Sequence, residues 1–304
     1  MPQNNHPNGH PLDHLSPNLM LHVLVVIYGF TPIIGKLISI AALPLVWWRL
    51  VISIFALFLY FKFKKFRVEM DSKTAIVITL TGLIVGLHWA TLYHAIKVSN
   101  VNTAMCGFAT MTFFTALLEP LFFKRRISIL EVLLGISTLL GLLIISYNDD
   151  VQLNGIYYGI IAAITAALFV IFNAKFAQKH HAYNITFYEF IGALLCVSIL
   201  SVLLGFEPWS MRISPADIFW LVVLSIVCTV FPFIEATKIG KHVNPFTMGL
   251  VNNLEPVYGI FLAFIIFQKS EMMTIHFYIG AAIIISGVFL YPVLRRKTIK
   301  QGQR

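Results

Sequence analysis

The sequence predicts an all-α integral membrane protein with ten transmembrane helices, arranged as two inverted five-helix repeats. Three observations predict this fold class: an excess of apolar residues, ten apolar runs of membrane-spanning length, and basic residues confined to alternate gaps between those runs. Of the 304 residues, 58% are hydrophobic and only 12% are charged. One water-soluble core cannot bury so much apolar surface, so lipid is the expected solvent.

The apolar runs are each close to the roughly 20 residues that a helix needs to cross a bilayer. They cover residues 19–40, 44–61, 74–95, 101–123, 128–147, 155–177, 184–205, 215–237, 245–267 and 273–294. Helices are expected because a helix in hydrocarbon satisfies its own backbone hydrogen bonds, and because the runs are about twice as long as barrel strands.

The basic residues predict the orientation. Seventeen of the 22 Lys and Arg residues fall on one side of the alternating pattern, and only Lys97, Arg212 and Lys269 fall in gaps on the other. Cytoplasmic loops collect Lys and Arg, so both termini are predicted to be cytoplasmic, in a plasma (inner) membrane. The net charge of +9 therefore indicates topology, and no nucleic-acid partner is expected.

An odd number of spans in each half inverts the second half relative to the first. The run that begins at Gly135 resembles the run that begins at Gly280, which indicates a faint internal repeat. The predicted division is a disordered tail (1–18), a first repeat (19–147), an outer linker (148–154), a second repeat (155–294) and a basic cytoplasmic tail (295–304).

Several short motifs occur along these runs. They are Tyr28-Gly29 with Lys36, Arg49, Gly155, Thr229, Leu254-Glu255-Pro256-Val257, and Glu271 nine residues before Gly280. Together with the ten-run pattern over residues 19–294, they resemble the EamA-type transporters of the drug/metabolite transporter (DMT) superfamily. The resemblance implies a central cavity between the halves, alternating access, and substrates such as amino acids or other small metabolites and drugs.

Glu255 is the first candidate for a substrate-binding residue, because it lies near the middle of its run, where an ionisable group is costly. Asn252 is three residues away and shares its helix face, so an amide stands beside a carboxylate that can hold an ammonium group or a proton. The alternative is a polar clamp between helices.

His88, Trp89 and Arg49 complete the predicted substrate site. The His88 imidazole can relay protons or bind substrate, so proton coupling through Glu255 and His88 is a hypothesis; a satisfied core histidine is the alternative. Trp89 offers an apolar wall with one donor. Arg49 can bind a carboxylate or extend its side chain to the interface.

Other polar residues favour structural roles. Lys36 is expected to reach the interface, and Tyr93 and His94 to anchor the outer surface. Glu189 is expected to pair with Lys175 or Lys179. Glu235 and Glu119 are expected to form interfacial pairs, with Lys238 and with the basic residues 124–126 respectively.

The alternative functions are those of a membrane enzyme and a lipid-linked substrate flippase. A membrane enzyme is disfavoured because no HExxH, GxSxG or Cys/His metal cluster occurs, and Cys106, Cys196 and Cys228 are far apart. A lipid-linked substrate flippase can use the same architecture. The expectation is a transporter without cofactor or metal, with a small-molecule substrate and the lipid bilayer as partners; the oligomeric state is left open.

Overall fold

The computed structural model describes residues 16–146, 152–252, 254–268 and 274–301, and all regular secondary structure in these ranges is helical. The predicted tail 1–18 lies almost wholly outside the described residues, as do residues 148–151 of the linker and 302–304 of the C-terminal tail. The helices are α1 (Pro17–Leu37), α2 (Ala42–Lys64), α3 (Ser72–Val98), α4 (Val101–Phe108), α5 (Met111–Phe123), α6 (Ile129–Ser146), α7 (Leu153–Ala177), α8 (Ala182–Leu203), α9 (Pro215–Ser225), α10 (Phe231–Ile239), α11 (Pro245–Asn252), α12 (Leu254–Phe267) and α13 (Ile275–Gln301).

Eight helical stretches of the described chain are long and apolar enough to cross a bilayer, which confirms the all-α membrane class. They are α1, α2, α3, α7, α8 and three composite spans: Val101–Phe123 (α4 and α5), Pro215–Ile239 (α9 and α10) and Pro245–Phe267 (α11 and α12). Helices α6 and α13 carry shorter apolar stretches, Ile129–Gly141 and Ile275–Gly287.

The run 101–123 was expected to be one helix, but a turn at residues 109–110 divides it. The amide of Thr110 bonds to the carbonyl of Gly107 (3.3 Å), and its hydroxyl donates to the same oxygen (2.7 Å). A threonine hydroxyl that takes a nearby carbonyl competes with the regular helical pattern, which explains the tightened turn.

Helix α3 packs closely against α7 and α8 in the middle of the bundle. A Cβ atom added to Gly192 of α8 would lie 1.8 Å from the Thr79 carbonyl oxygen of α3. One added to Gly82 would lie 2.2 Å from the Glu189 carbonyl oxygen. Only glycine permits this backbone approach, which is the usual way that small residues hold membrane helices together.

One end of the bundle is closed by hydrogen bonds between the α1–α2 connection and the start of α9. Asp217 accepts from the backbone N–H of Ser39 (2.7 Å) and from its hydroxyl (2.6 Å), and Ser214 donates to the same carboxylate (2.9 Å). Lys97 also donates to the carbonyl of Ile38. These bonds join residues that are far apart in the sequence.

The opposite end carries what we call the carboxylate cluster: Glu119, Arg125, Glu131, Tyr291 and the backbone N–H of Phe246. Arg125 bridges Glu119 (3.1 Å) and Glu131 (2.6 Å). Glu119 also accepts from the Phe246 amide (2.7 Å), and Glu131 from the Tyr291 hydroxyl (3.2 Å). The cluster thereby ties α5 to α11 and α6 to α13.

Two of the expected interfacial pairs are confirmed at this end. Glu119 pairs with Arg125, and Glu235 pairs with Lys238 at 2.6 Å. Burial lowers the pKa of Arg125, but its hydrogen bonds to the two carboxylates and their negative charges outweigh that effect, so its pKa is raised.

Replacing Arg125 with Gln is expected to destabilise the protein by about 1–3 kcal/mol, because it leaves two buried carboxylates without their cation. The measurement is thermal unfolding of purified protein in detergent. Arg126→Gln is the matched control, since Arg126 is an exposed neighbour and its loss changes the charge of the same connection equally. Equal melting temperatures for the two variants would contradict a stabilising role for the cluster.

Candidate functional site

A cavity of about 80 Å³ lies in the middle of the bundle, and all five residues predicted for the substrate site line it: Glu255, Asn252, His88, Trp89 and Arg49. These five come from α2, α3, α11 and α12, and the rest of the wall comes from α1, α4, α5, α7 and the α9–α10 span. Further lining residues are Tyr28, Thr31, Tyr93, Phe108, Phe169, Asn173, Thr229 and Phe233.

Arg49 is buried, with 3% of its surface exposed, so the interpretation that it extends to the interface is wrong. Its Nε donates to the Thr229 hydroxyl at 2.6 Å, and its Nη1 donates to the Tyr93 hydroxyl at 3.0 Å. The guanidinium carbon lies 4.2 Å from the centre of the Trp89 ring. The cation is thus held by hydrogen bonds to two neutral hydroxyl groups and by an aromatic face.

A π-helical turn, Ile226–Val230, places Thr229 opposite Arg49. The Thr229 hydroxyl donates to the carbonyl of Leu224, five residues earlier, at 2.6 Å. Pro232, which follows in α10, has no N–H to continue the regular ladder. A widened turn of this kind inside a helix frequently marks a functional site, and here it bears directly on the buried cation.

Tyr93 is the residue that sequence reasoning missed. It was expected to anchor the outer surface, but only 1% of its surface is exposed, and it lines the cavity with its hydroxyl on Arg49. Its position near the end of an apolar run is typical of an interfacial tyrosine. The one signal that could have identified it is that it follows Trp89 by four residues and so shares its helix face.

Glu255 faces the same cavity from the first turn of α12 and is 6% exposed. It interacts electrostatically with Arg49 but forms no ion pair with it. Asn252 ends α11, and its buried Oδ1 has no hydrogen-bond partner. Residue 253, between them, lies outside the described residues. A carboxylate, an amide oxygen and a guanidinium therefore share one cavity without pairing to one another.

His88 is fixed by one of its two ring nitrogens. Nδ1 lies 2.9 Å from the carbonyl oxygen of Ala162, an acceptor, so Nδ1 carries the proton in the neutral ring and Nε2 is the acceptor. The ring lies between Phe108 (5.5 Å) and Phe169 (5.2 Å). One nitrogen thus fits the alternative of a satisfied core histidine, while the residue itself contributes to the cavity wall.

Aromatic rings form the remaining walls. Trp89 makes edge contacts with Phe190 (5.7 Å) and Phe233 (5.9 Å), and Phe233 stacks with Phe169 (6.0 Å). A few polar groups set in an apolar wall are typical of small-molecule sites.

The expected ion pair of Glu189 is wrong. Glu189 does not pair with Lys175 or Lys179: it is 0% exposed, and neither carboxylate oxygen has a hydrogen-bond partner. At this level α8 packs closely against α3, where Gly82 approaches the backbone of Glu189. Lys36, which is expected to reach the interface, lies with its Nζ 4.3 Å from the ring centre of Phe267, the last residue of α12.

A second cavity, of about 470 Å³, adjoins the end of the bundle that carries the carboxylate cluster. It is lined by Glu119, Phe123, Arg125, Glu131, Ala174, Gln178, Gly240, Lys241, His242, Val243, Asn244 and Pro245. Ala174 and Gly240 also line the central cavity, so the two cavities are neighbours at these small residues. We call this second cavity the vestibule.

Comparisons with known proteins agree with this architecture. A curated relative from Bacillus subtilis (strain 168), "Uncharacterized transporter YdfC", is 23% identical over 248 residues, which cover 79% of this chain and 78% of the relative. A solved structure described only as "Crystal structure of protein" shares the fold, with a TM-score of 0.72 at 13% identity, over 93% of this chain and 98% of that chain.

The family model for the EamA-like transporter family matches the chain twice, at residues 15–147 and 153–291. The two matches together cover most of the sequence, and the eight membrane-spanning stretches are those of a multi-pass protein. The chain therefore belongs to the EamA-like transporter family of the drug/metabolite transporter superfamily, and it is a multi-pass membrane transporter.

Proposed function

We propose that this transporter carries a small zwitterionic metabolite, such as an amino acid, across the plasma (inner) membrane. The observation that carries the proposal is that Arg49 and Glu255 face one cavity without forming an ion pair. Buried charges at membrane depth are costly unless they are paired. A ligand with a carboxylate for Arg49 and an ammonium group for Glu255 supplies both missing partners.

The neighbouring groups support the same ligand. The partnerless Oδ1 of Asn252 can accept a further N–H of the ammonium group. The aromatic walls suit a short apolar side chain. Drug-sized ligands occupy pockets of roughly 300–1,000 Å³, so a cavity of about 80 Å³ favours a small metabolite over a drug or a lipid-linked substrate.

We further propose alternating access between two inverted repeats of five spans, 19–147 and 155–294, with α6 and α13 as the fifth and tenth spans. The family model matches once in each half. A two-fold axis between the repeats would make α3 equivalent to the α9–α10 span, and α7 and α8 equivalent to α1 and α2. Helix α3 packs on α7 and α8, and α9 and α10 pack on α1 and α2, so the helix contacts agree with such an axis.

The ends of the bundle support a direction of opening. The end closed by Ser39 and Asp217 is predicted to face outward, and the vestibule is predicted to face the cytoplasm. The conformation is then one in which the site borders the inner side. Proton coupling through Glu255 and His88 belongs to the same proposal, because both line the cavity.

Transport in proteoliposomes should require both charges of the substrate. With labelled L-alanine as the probe, the methyl ester lacks the carboxylate, and N-acetyl-L-alanine lacks the ammonium group. Each is expected to compete at least about 10-fold more weakly than the free amino acid, because a hydrogen bond to a charged group contributes about 1.5–3 kcal/mol. If L-alanine itself is not transported, the same comparison is made across the other neutral L-amino acids.

The two charged residues can be assigned separately by combining variants with these derivatives. In Glu255→Gln the difference between the free and the N-acetylated substrate should disappear, while the methyl ester remains weak. In Arg49→Gln the pattern should be reversed. Glu207→Gln, in an exposed connection, is the control and should behave as wild type. If both site variants still discriminate between the free amino acid and its two derivatives as wild type does, the proposed site is refuted. His88→Ala tests His88 in the same assay.

The proposed topology is tested by labelling introduced cysteines in a background without the three native ones. Gln152→Cys and Ser210→Cys, in exposed outer connections, should react with an impermeant maleimide added to intact cells. Lys65→Cys and Lys241→Cys should react only after permeabilisation. Labelling of Gln152→Cys and Lys241→Cys from the same side would exclude the inverted arrangement.

A further inference from the structure

Glu189 is a buried acid that none of the steps proposed above uses. It lies on α8, next to the close contact between α3 and α8 that Gly82 and Gly192 permit. It is 0% exposed, and both of its carboxylate oxygens are buried without a hydrogen-bond partner. An ionised carboxylate in such a place costs several kcal/mol, so the question is what neutralises it.

No cation of the described chain does so. Helix α8 packs against α2, α3, α7 and α10. The titratable groups in the middle of these helices are engaged elsewhere: Arg49 with Thr229 and Tyr93, and His88 with Ala162. In the last turn of α10, Lys238 pairs with Glu235.

The other titratable groups of these helices, together with those of α8 itself, form no hydrogen bond or ion pair with Glu189. They are Tyr60, Lys62, Lys64, Lys73, His94, Lys97, Tyr157, Tyr158, Lys175, Tyr183, Tyr188 and Cys196. The simplest neutralising group is therefore a proton.

Asn173 connects this acid to the cavity. Its side chain on α7 interacts with Glu189 without meeting hydrogen-bond geometry, and its own Oδ1 is buried without a partner. The same residue lines the central cavity. An amide can serve both states of a carboxyl group: its N–H donates to the carboxylate, and its oxygen, after rotation of the amide, accepts from the carboxylic acid.

We propose that Glu189 is a proton-binding site linked to the central cavity through Asn173, and that its protonation is coupled to occupancy of the cavity by substrate. On release, the carboxyl O–H bond breaks, the proton passes to water in the cavity, and the Asn173 amide N–H stabilises the carboxylate that remains. Because coupling between two sites is reciprocal, binding of substrate changes the proton affinity of Glu189, and protonation changes the affinity for substrate. The inference rests on the proposed transport function for its coupling part only.

The proton site itself can be tested without transport. Infrared spectra of purified protein in liposomes of phosphatidylethanolamine and phosphatidylglycerol report the C=O stretch of protonated carboxyl groups, which shifts in D₂O. At about pH 6 to 9, where exposed carboxyl groups are ionised, the pH-dependent band should lose the amplitude of one carboxyl group in Glu189→Gln and keep it in Glu207→Gln. Gln is isosteric with the protonated acid, so the variant should fold. Identical bands in the two variants would overturn the proton site.

Coupling is tested with an equimolar mixture of labelled L-amino acids as the probe. A gradient of one pH unit can drive about 10-fold accumulation at one proton per substrate, since one pH unit corresponds to about 1.4 kcal/mol. Wild type and Glu207→Gln should accumulate substrate under the gradient polarity that drives uptake. Glu189→Gln should lose this accumulation, to about 1-fold, and retain exchange of labelled for unlabelled substrate.

The outcomes separate the two proposals. If wild-type protein exchanges no amino acid but the infrared difference is present, the proposed substrate class fails and the proton site stands. If Glu189→Gln accumulates substrate as wild type does, the coupling role of Glu189 is refuted while the transport function stands. Accumulation that follows a sodium gradient and is lost in Glu189→Gln would replace the proton by sodium and so overturn the proposal.

Discussion

The burial of one guanidinium in the middle of a membrane bundle is the constraint on which the site depends. A charged side chain at mid-membrane costs about 2.5–3.5 kcal/mol on insertion scales, so Arg49 needs partners from its neighbours. It takes a hydroxyl from α3, a hydroxyl from the π-helical turn between α9 and α10, and the face of Trp89. Since these groups come from different helices, satisfying the cation also fixes how α2, α3 and the α9–α10 span lie around the cavity.

All of these partners are neutral, and this has a chemical consequence. A carboxylate on Arg49 would cancel its charge and leave little attraction for an anionic ligand group, whereas hydroxyls and a ring stabilise the cation without neutralising it. Glu255, across the same cavity, is in the corresponding position for a cationic group. In the proposed function, these two residues bind the two opposite charges of one zwitterionic molecule.

Sequence reasoning could predict the membrane class and the mid-depth polar residues, because in lipid each apolar run and each interrupting ionisable group carries a large free-energy cost or gain. Glu255, His88 and Arg49 stood out for that reason, Asn252 because it shares the helix face of Glu255, and Trp89 because it follows His88. Contacts between helices were harder to predict. In runs that are apolar on every side, periodicity does not show which face is turned inward, so Tyr93 was assigned to the surface and Glu189 to an ion pair that the helix packing does not allow.

Arg49 and Glu189 occupy near-equivalent places on the second helix of each proposed repeat, and their surroundings differ in a way that packing explains. Arg49 can reach two hydroxyls because the α9–α10 span widens into a π-helical turn beside it. Glu189 has no such widening, because α3 approaches α8 through Gly82 and Gly192 with backbone against backbone. One half thus holds a charge that is stabilised by protein groups, and the other holds an acid that interacts with Asn173 but has no hydrogen-bond partner. An acid in such surroundings changes its charge more readily than it finds a counter-ion, which is the property that a proton-binding site requires.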